Sequence, residues 1–389
     1  MDKVINLAVP HISEQIFESI NTDGLIQCLM VGEAWRILAE NVLVKRWKEN
    51  LFEACASGKT QIVQLLLECF NGEEIGLNTK REFGITPLMA ACSNGHIDTV
   101  KLLLNHSDIE LNAKSDKGRT AFMLACSNGH EDVVEYFLIE CSNQIIDVNV
   151  KDKSGRTPLM IACYYGYKKV VQLLLGSSDC IEINAKDNFG WTALMVTCEV
   201  GRKTIIEDIL KYPKGNIDFN ACNLSGQTAF ILACKNGHAN VVQILLEQDL
   251  HHKIADLDDS TRKTERNTAF ILACQNGHSG VVELLLNNLD IDLNALNDSG
   301  RTGLMLACIS GHTSVVKLLL DHGIELNTSD NFGWTAIMMA CAHGRKEVVK
   351  SFIGLSDIDM NSVNDSGQTA VMIAYQKGHQ DIVKLISAF

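Results

Sequence analysis

Apolar and polar positions along most of the chain follow a unit of two short helical patterns. In residues 300–327, Thr302 can cap a first helix with its hydroxyl and Gly311 can end that helix. The apolar positions of the first helix are Leu304, Leu306 and Ala307, and those of a second helix are Val315, Val316, Leu318, Leu319 and Leu320. Gly323 supplies the left-handed residue that ends the second helix, and the chain then runs extended to Asn327. Because neither helix can bury its own apolar face, the unit is stable only when copies of it stack.

The same unit recurs along the chain, with a threonine at the predicted start of each first helix. These threonines are Thr86, Thr120, Thr157, Thr192, Thr228, Thr268, Thr302, Thr335 and Thr369. Each follows a glycine by two residues except Thr268, where Arg266 stands in the place of the glycine. The regular spacing of these threonines along the chain indicates a repeat protein, in which each layer contacts only its neighbours.

The motifs of these units resemble those of the ankyrin-repeat family from about Glu49 to the last residue. The family pattern G-x-T-P-L-H-x-A-A-x-x-G-H is kept in outline as GITPLMAACSNGH at residues 84–96 and as GRTPLMIACYYGY at residues 155–167. A first repeat at about residues 49–78 lacks the Gly-x-Thr start, and including it gives about ten repeats. The resemblance implies an all-α solenoid over residues 49–389, with helix-turn-helix layers, β-hairpin-like corners and a protein-binding face.

Residues 1–48 have a different apolar rhythm, which predicts three short helices. The first carries Ile12, Ile16, Phe17 and Ile20 after Pro10, the second carries Leu25, Cys28, Leu29 and Val31, and the third carries Trp35, Leu38, Leu43 and Trp47. Asp23 is a candidate cap for the second helix. No Gly, Pro or Ser linker separates Trp47 from the first repeat, so we expect a rigid connection.

The order of residues in this segment resembles an F-box, the module that binds the Skp adaptor of cullin–RING ubiquitin ligases. It departs from the usual motif at Gly24, Gly32 and Val44. The resemblance implies that Pro10, Ile12, Ile16, Phe17, Leu25, Val31 and Trp35 contact the adaptor. Alternatively, the three helices only cover the first repeat, because terminal repeats of a solenoid need a cap.

The formal net charge of −13 disfavours binding to nucleic acid or to an anionic membrane. The chain shows no apolar run long enough for a membrane span and no basic N-terminal region, so we expect a cytoplasmic or nuclear protein. No phosphate loop, nucleophile elbow or metalloprotease helix is present, so we expect neither an enzyme nor a cofactor. We expect a monomer apart from its complexes.

Two residue types that suggest chemistry recur at the repeat period. Nine cysteines share one small apolar position: Cys55, Cys92, Cys126, Cys163, Cys198, Cys234, Cys274, Cys308 and Cys341. Six histidines share the Gly-His position: His96, His130, His238, His278, His312 and His379. A residue that returns in every layer is best explained by packing, and no C-x-x-C spacing is present, so we expect no metal site. The charged stretch 249–267 is predicted to be a long surface loop.

Aromatic residues mark the positions that packing leaves free. Tyr164 and Tyr165 follow an Ala-Cys pair, and the hexapeptide DNFGWT occurs twice, with Phe189 and Trp191 and again with Phe332 and Trp334. In the ankyrin family these places line the concave binding face, where aromatic side chains are natural anchors. The alternative is that the rings pack on adjacent corners. Nearby lysines and arginines favour an acidic ligand. The sequence therefore predicts a ubiquitin-ligase substrate receptor, or alternatively a protein-binding scaffold with a helical cap.

Overall fold

The computed structural model describes seven ranges of the chain: 18–29, 33–47, 50–139, 146–177, 181–212, 217–250 and 259–388. The chain divides into two compact units. Unit 1 comprises residues 1–188 with 212–215, and unit 2 comprises residues 189–211 with 216–389. Each unit is described by itself below.

The described part of unit 1 is built from helices that pair and stack. They are α1 Thr22–Cys28, α2 Glu33–Trp47, α3 Leu51–Ala56, α4 Thr60–Cys69, α5 Pro87–Ser93, α6 Ile97–Leu104, α7 Ala121–Asn128, α8 Glu131–Ile139, α9 Pro158–Tyr165 and α10 Lys168–Ser177. From α3 onward they form two-helix layers, in which first helices α3, α5, α7 and α9 pack in succession and second helices α4, α6, α8 and α10 do the same.

The described part of unit 2 is built from six two-helix layers. Its helices are α11 Ala193–Val200, α12 Lys203–Leu210, α13 Ala229–Lys235, α14 Ala239–Leu250, α15 Asp259–Asn276, α16 Ser279–Asn288, α17 Gly303–Ser310, α18 Thr313–Asp321, α19 Ala336–Ala342, α20 Lys346–Phe352, α21 Ala370–Gln376 and α22 Gln380–Ser387. First helices pack on first helices and second helices on second helices throughout. These stacked pairs confirm the predicted all-α solenoid.

The threonine at the start of the first helix acts as predicted in most layers. Seven hydroxyls accept a hydrogen bond from the backbone N–H three residues later, those of Thr86, Thr120, Thr157, Thr192, Thr228, Thr302 and Thr369. Thr335 stands at the start of α19 but makes no such bond. The prediction is wrong for Thr268, which lies inside α15 and donates to the carbonyl of Thr264 at 2.8 Å.

The stretch predicted as a charged loop, 249–267, is partly helical. The helix α14 extends to Leu250, and α15 begins at Asp259, so residues 259–267 are helical and the loop prediction is wrong for them. Arg266 replaces the glycine that interrupts the helical conformation in other layers. A helix can therefore continue through this position. The remaining residues, 251–258, lie outside the described residues.

The repeated cysteines are core residues, as predicted. All nine have 0% exposed surface, and none of the described cysteines forms a disulfide. Burial raises the pKa of the Cys341 thiol to about 12, so this thiol stays protonated and unreactive near neutral pH. A small, polarizable thiol suits such a fully buried position.

The N-terminal helices pack directly on the first layer. The helix α1 packs on α2, and α2 packs on α4. Leu25 and Leu43 are buried, at 0% and 1% exposure. The cap of α1 is Asn21, whose Oδ1 accepts from the Gly24 N–H at 2.8 Å, so the prediction that Asp23 caps this helix is wrong. None of the described helices is long and apolar enough to cross a bilayer.

Candidate partner-binding surface

The corner is the stretch that leads into a first helix, and in several layers one polar side chain folds it. In residues 330–335 the carboxylate Oδ1 of Asp330 accepts from the N–H groups of Phe332 and Trp334, both at 3.0 Å. The Asp330 N–H donates to the Trp334 carbonyl at 2.9 Å, and Gly333 takes a left-handed conformation with φ of 74°. The backbone turns tightly here, and the Phe332 side chain lies outside, with 62% of its surface exposed.

The same folding device recurs with asparagine or aspartate in other layers. The side chains of Asp152, Asn223, Asn297 and Asn364 each accept from the N–H groups two and four residues later. Apart from one isolated bridge between Ser329 and Thr335, the described corners contain no β pairing. The corners are therefore turns closed by side chains.

Successive corners are joined by backbone hydrogen bonds. In unit 2 the N–H of Leu224 donates to the Phe189 carbonyl at 3.0 Å, and the N–H of Asp365 donates to the Phe332 carbonyl at 3.2 Å. In unit 1 the N–H of Lys153 donates to the Lys117 carbonyl at 3.0 Å. These bonds fix the corner tips in register within each unit, so their side chains form an ordered row.

The predicted corner aromatics separate into two kinds. Phe189 and Phe332, directly before a corner glycine, are 59% and 62% exposed. Trp191 and Trp334, directly after the glycine, are only half-buried. Exposed phenylalanines can anchor a partner, and the anchoring role of these corner aromatics stays a prediction.

Tyr164 and Tyr165 form an exposed aromatic cluster in unit 1. Their exposed fractions are 56% and 46%. The two rings meet edge to face with centroids 5.2 Å apart, and Tyr165 stacks on Tyr167 at 6.0 Å. Because Phe189 and Trp191 belong to unit 2, a single patch formed by these tyrosines with that corner stays a prediction.

Several exposed apolar residues on corners were not predicted from the sequence. Phe83, Leu224, Leu296 and Val363 are 72%, 79%, 54% and 56% exposed. Phe83 precedes Gly84 in the same way that Phe332 precedes Gly333. Comparison of the residue before each corner glycine would have identified Phe83, whereas nothing in the local sequence distinguishes the other three.

Two buried carboxylates brace the corners. The Asp152 side chain is 1% exposed; its Oδ2 lies 2.9 Å from Nη2 of Arg156 and 3.6 Å from Nε of Arg119. In unit 2 the 1%-exposed Asp330 receives Nε of Arg301 at 3.2 Å. A buried carboxylate needs such partners, because burial of an unpaired charge is strongly unfavourable.

The repeated histidines join neighbouring layers. The Nε2 atoms of His96, His130, His238, His278, His312 and His379 lie 2.8–3.3 Å from a carbonyl oxygen at the end of the preceding first helix. A ring nitrogen facing a carbonyl acts as the donor. These contacts confirm the structural interpretation of the histidines. Among the described residues no group of three His, Cys, Asp or Glu side chains is placed to hold a metal ion.

The comparison with family models agrees with this geometry. The model for ankyrin repeats (three copies) matches eight overlapping ranges: 51–151, 110–187, 138–221, 179–256, 207–297, 248–330, 287–362 and 326–388. The chain belongs to the ankyrin-repeat family. No F-box model matches it, and no curated protein matches the chain. Ankyrin repeats are protein-interaction scaffolds and are generally not enzymes, so the array has a protein-binding role.

Proposed function

We propose that this ankyrin protein is the substrate-recognition subunit of a Skp–cullin–F-box type ubiquitin ligase. The N-terminal helices dock on the Skp adaptor, and the ankyrin array holds a target protein for ubiquitination by other subunits. The chain itself contributes positioning, in the cytoplasm or the nucleus. Support comes from the F-box-like order of residues 9–47 and from the way in which the N-terminal helices are mounted on the array.

The mounting of α2 is the observation that carries the proposal. This helix ends at Trp47, the first repeat begins at Leu51, and α2 packs on α4 of that repeat. The Lys59 ammonium of the repeat lies 3.2 Å from the Asp23 carboxylate and 6.0 Å from the centre of the Trp47 ring. If these contacts hold the helices firmly on the array, as we propose, a bound target stays at a defined distance from the ubiquitin carrier, which raises its effective concentration.

The predicted adaptor contacts have different places in the structure. Leu25 is fully buried, so it belongs to the interior of the helical module and is no surface contact. Trp35 is half-buried. The other predicted contacts, Pro10, Ile12, Ile16, Phe17 and Val31, lie outside the described residues. The adaptor surface is therefore proposed on Trp35 together with these five residues.

The burial of Leu25, Ala39 and Leu43 favours a second candidate function. In this case α1 and α2 only cover the first layer, and the protein is an ankyrin scaffold without a ligase partner. Both functions leave target binding to the array, and they differ only in whether the N-terminal helices recruit the adaptor.

A pull-down of purified Skp adaptor by the full chain distinguishes the two functions. We expect the parent protein to retain the adaptor and the double variant Ile16→Asp/Phe17→Asp to lose it. The matched control Gln27→Asp/Asn41→Asp adds the same charge at exposed positions of α1 and α2 and should bind like the parent. Every variant must first show the thermal transition of the parent. If the folded parent does not retain the adaptor, the ligase function is contradicted and the scaffold function replaces it.

A further inference from the structure

A lysine occupies the same place on four successive corners, two residues after the corner asparagine, and all four lysines belong to unit 1. These residues, named here the lysine row, are Lys80, Lys114, Lys151 and Lys186. All four are exposed. The equivalent positions in the regular corners of unit 2 are Cys222, Leu296, Ser329 and Val363. The row is thus a property of unit 1 and no general feature of this array.

The corners of unit 1 are also more basic as a whole than the regular corners of unit 2. Corners 78–86, 112–120 and 149–157 of unit 1 hold eight lysines or arginines and three acidic residues. The four regular corners of unit 2, residues 220–228, 294–302, 327–335 and 361–369, hold one arginine and three aspartates. A basic strip is therefore present on a protein whose formal net charge is −13.

Three of the four lysines have a positive charge that no acidic neighbour neutralises. Within the described residues Lys80, Lys114 and Lys151 make no ion pair. The Nζ atoms of Lys80 and Lys151 donate to the carbonyls of Lys114 and Lys186, both at 2.9 Å. The nearby Asp152 is buried and paired with arginines. The ammonium groups of Lys80 and Lys151 are thus held toward the next layer, and the charges of Lys80, Lys114 and Lys151 remain available.

The spacing of the row is fixed by the backbone. The N–H of Asp116 donates to the Phe83 carbonyl at 2.9 Å, and the N–H of Lys153 donates to the Lys117 carbonyl at 3.0 Å. A Cβ on Gly118 would lie only 2.8 Å from the Lys153 nitrogen, so the corners approach as closely as glycine permits. Packed helices stand about 8–10 Å apart, and corresponding lysines on successive layers therefore repeat at about 10 Å.

We propose that the lysine row binds an extended acidic segment of a partner protein, with an acidic side chain at about every third residue. An extended chain advances about 3.3 Å per residue, so three residues match one layer of the array. The inference rests on the array as the part of the proposed receptor that holds the target, and it is independent of the adaptor. A long nucleic acid is disfavoured, because its affinity depends on many neutralised phosphates, and the regular corners of unit 2 are acidic in balance.

Fluorescence anisotropy with two labelled peptides tests the proposal. One peptide carries four glutamates at every third position among Gly, Ser and Ala, and the other has the same composition with the four glutamates adjacent. We expect the full chain to bind the spaced peptide more tightly, with an affinity that falls as salt is raised. The variant with Lys80, Lys114, Lys151 and Lys186 changed to Gln should lose about tenfold or more, because four exposed ion pairs are removed.

The matched control removes four exposed lysines of second helices: Lys101→Gln, Lys203→Gln, Lys317→Gln and Lys384→Gln. It should bind within about twofold of the parent, since the lost charge lies away from the corners. Replacement of the lysine row by arginine should keep binding. Equal losses in both glutamine variants, equal binding of the two peptides, or tighter binding of a single-stranded oligonucleotide of equal charge would overturn the proposal.

The peptide comparison on the parent needs no variant, so it decides the question even if the glutamine variant does not fold. Neither arm contains the Skp adaptor. If the protein binds the spaced peptide but does not retain the adaptor, the proposal for the lysine row stands and the proposed ligase role is contradicted. If the protein retains the adaptor but does not prefer the spaced peptide, only the proposal for the lysine row is contradicted.

Discussion

Two stretches of unit 2 occupy the same place in the repeat and fold differently. Residues 330–335 make a corner before α19, whereas residues 263–268 are part of the helix α15. Both end in a threonine. The first has Asp330 to accept two backbone N–H groups and Gly333 to take a positive φ, and the second has Lys263 and Arg266 at these places. The threonine alone therefore does not decide where the first helix begins.

The largest effect is expected from removal of the corner acceptor. Asp330→Ala leaves the N–H groups of Phe332 and Trp334 unpaired and removes the partner of Arg301. We expect the free energy of unfolding to fall by about 3 kcal/mol. Lys263→Ala at the matching place is an exposed helical substitution and should change it by less than about 0.5 kcal/mol. Urea denaturation followed by circular dichroism measures both, and similar values would contradict the role of Asp330.

A smaller loss is expected from the corner glycine. Gly333→Ala forces a side chain into a residue with φ of 74°, with its Cβ 3.0 Å from Asn364 Cα, and should cost about 1–2 kcal/mol. Gly280→Ala is the control, because this glycine lies in α16 and, apart from its chain neighbours and the backbone of its own helix, no atom lies within 4 Å of the new Cβ. The control should be stabilised by up to about 1 kcal/mol. A stabilised Gly333→Ala variant would show that the corner tolerates a side chain.

The smallest effect separates a threonine that caps a helix from one that does not. The Thr302 hydroxyl accepts from the Met305 N–H at 3.3 Å, and Thr302→Ala should cost about 1 kcal/mol. Thr268 lies inside α15, where its hydroxyl donates to a carbonyl of the same helix, so Thr268→Ala should be close to neutral. The melting temperatures of the two variants provide the comparison. An equal decrease would mean that Thr268 starts a helix in solution.

The fold could be predicted because each layer repeats the same local sequence features. The apolar spacing, the glycines at helix ends and the period of the cysteines all lead to stacked helix pairs, and the buried cysteines confirm it. The failure at Thr268 has a physical cause. A threonine is compatible with both a cap and a helix interior, so the threonine does not mark the start of a helix where Arg266 replaces the glycine.

The candidate site was less accessible to sequence reasoning. An apolar periodicity shows that Leu25 lies on a buried face, but it does not show whether its own module or a partner covers that face. The lysine row was visible in the sequence as a periodic Asn-x-Lys, yet the net charge of −13 concealed it, because a total charge carries no information on position. Exposure of Leu224 and Val363 depends on the neighbouring corners and required the structure.

The contact of each histidine with the preceding layer has a mechanical consequence. Within unit 2, His238, His278, His312 and His379 each join one layer to the layer before it. Because each layer is connected only to its nearest neighbours, a force along the stack is passed from one layer to the next. Under a pulling force the extensions of successive layers add, and the stiffness of a stack falls inversely with its number of layers. A binding surface spread over several layers can therefore adjust its length to a partner by small, equal strains, while each layer keeps its own geometry.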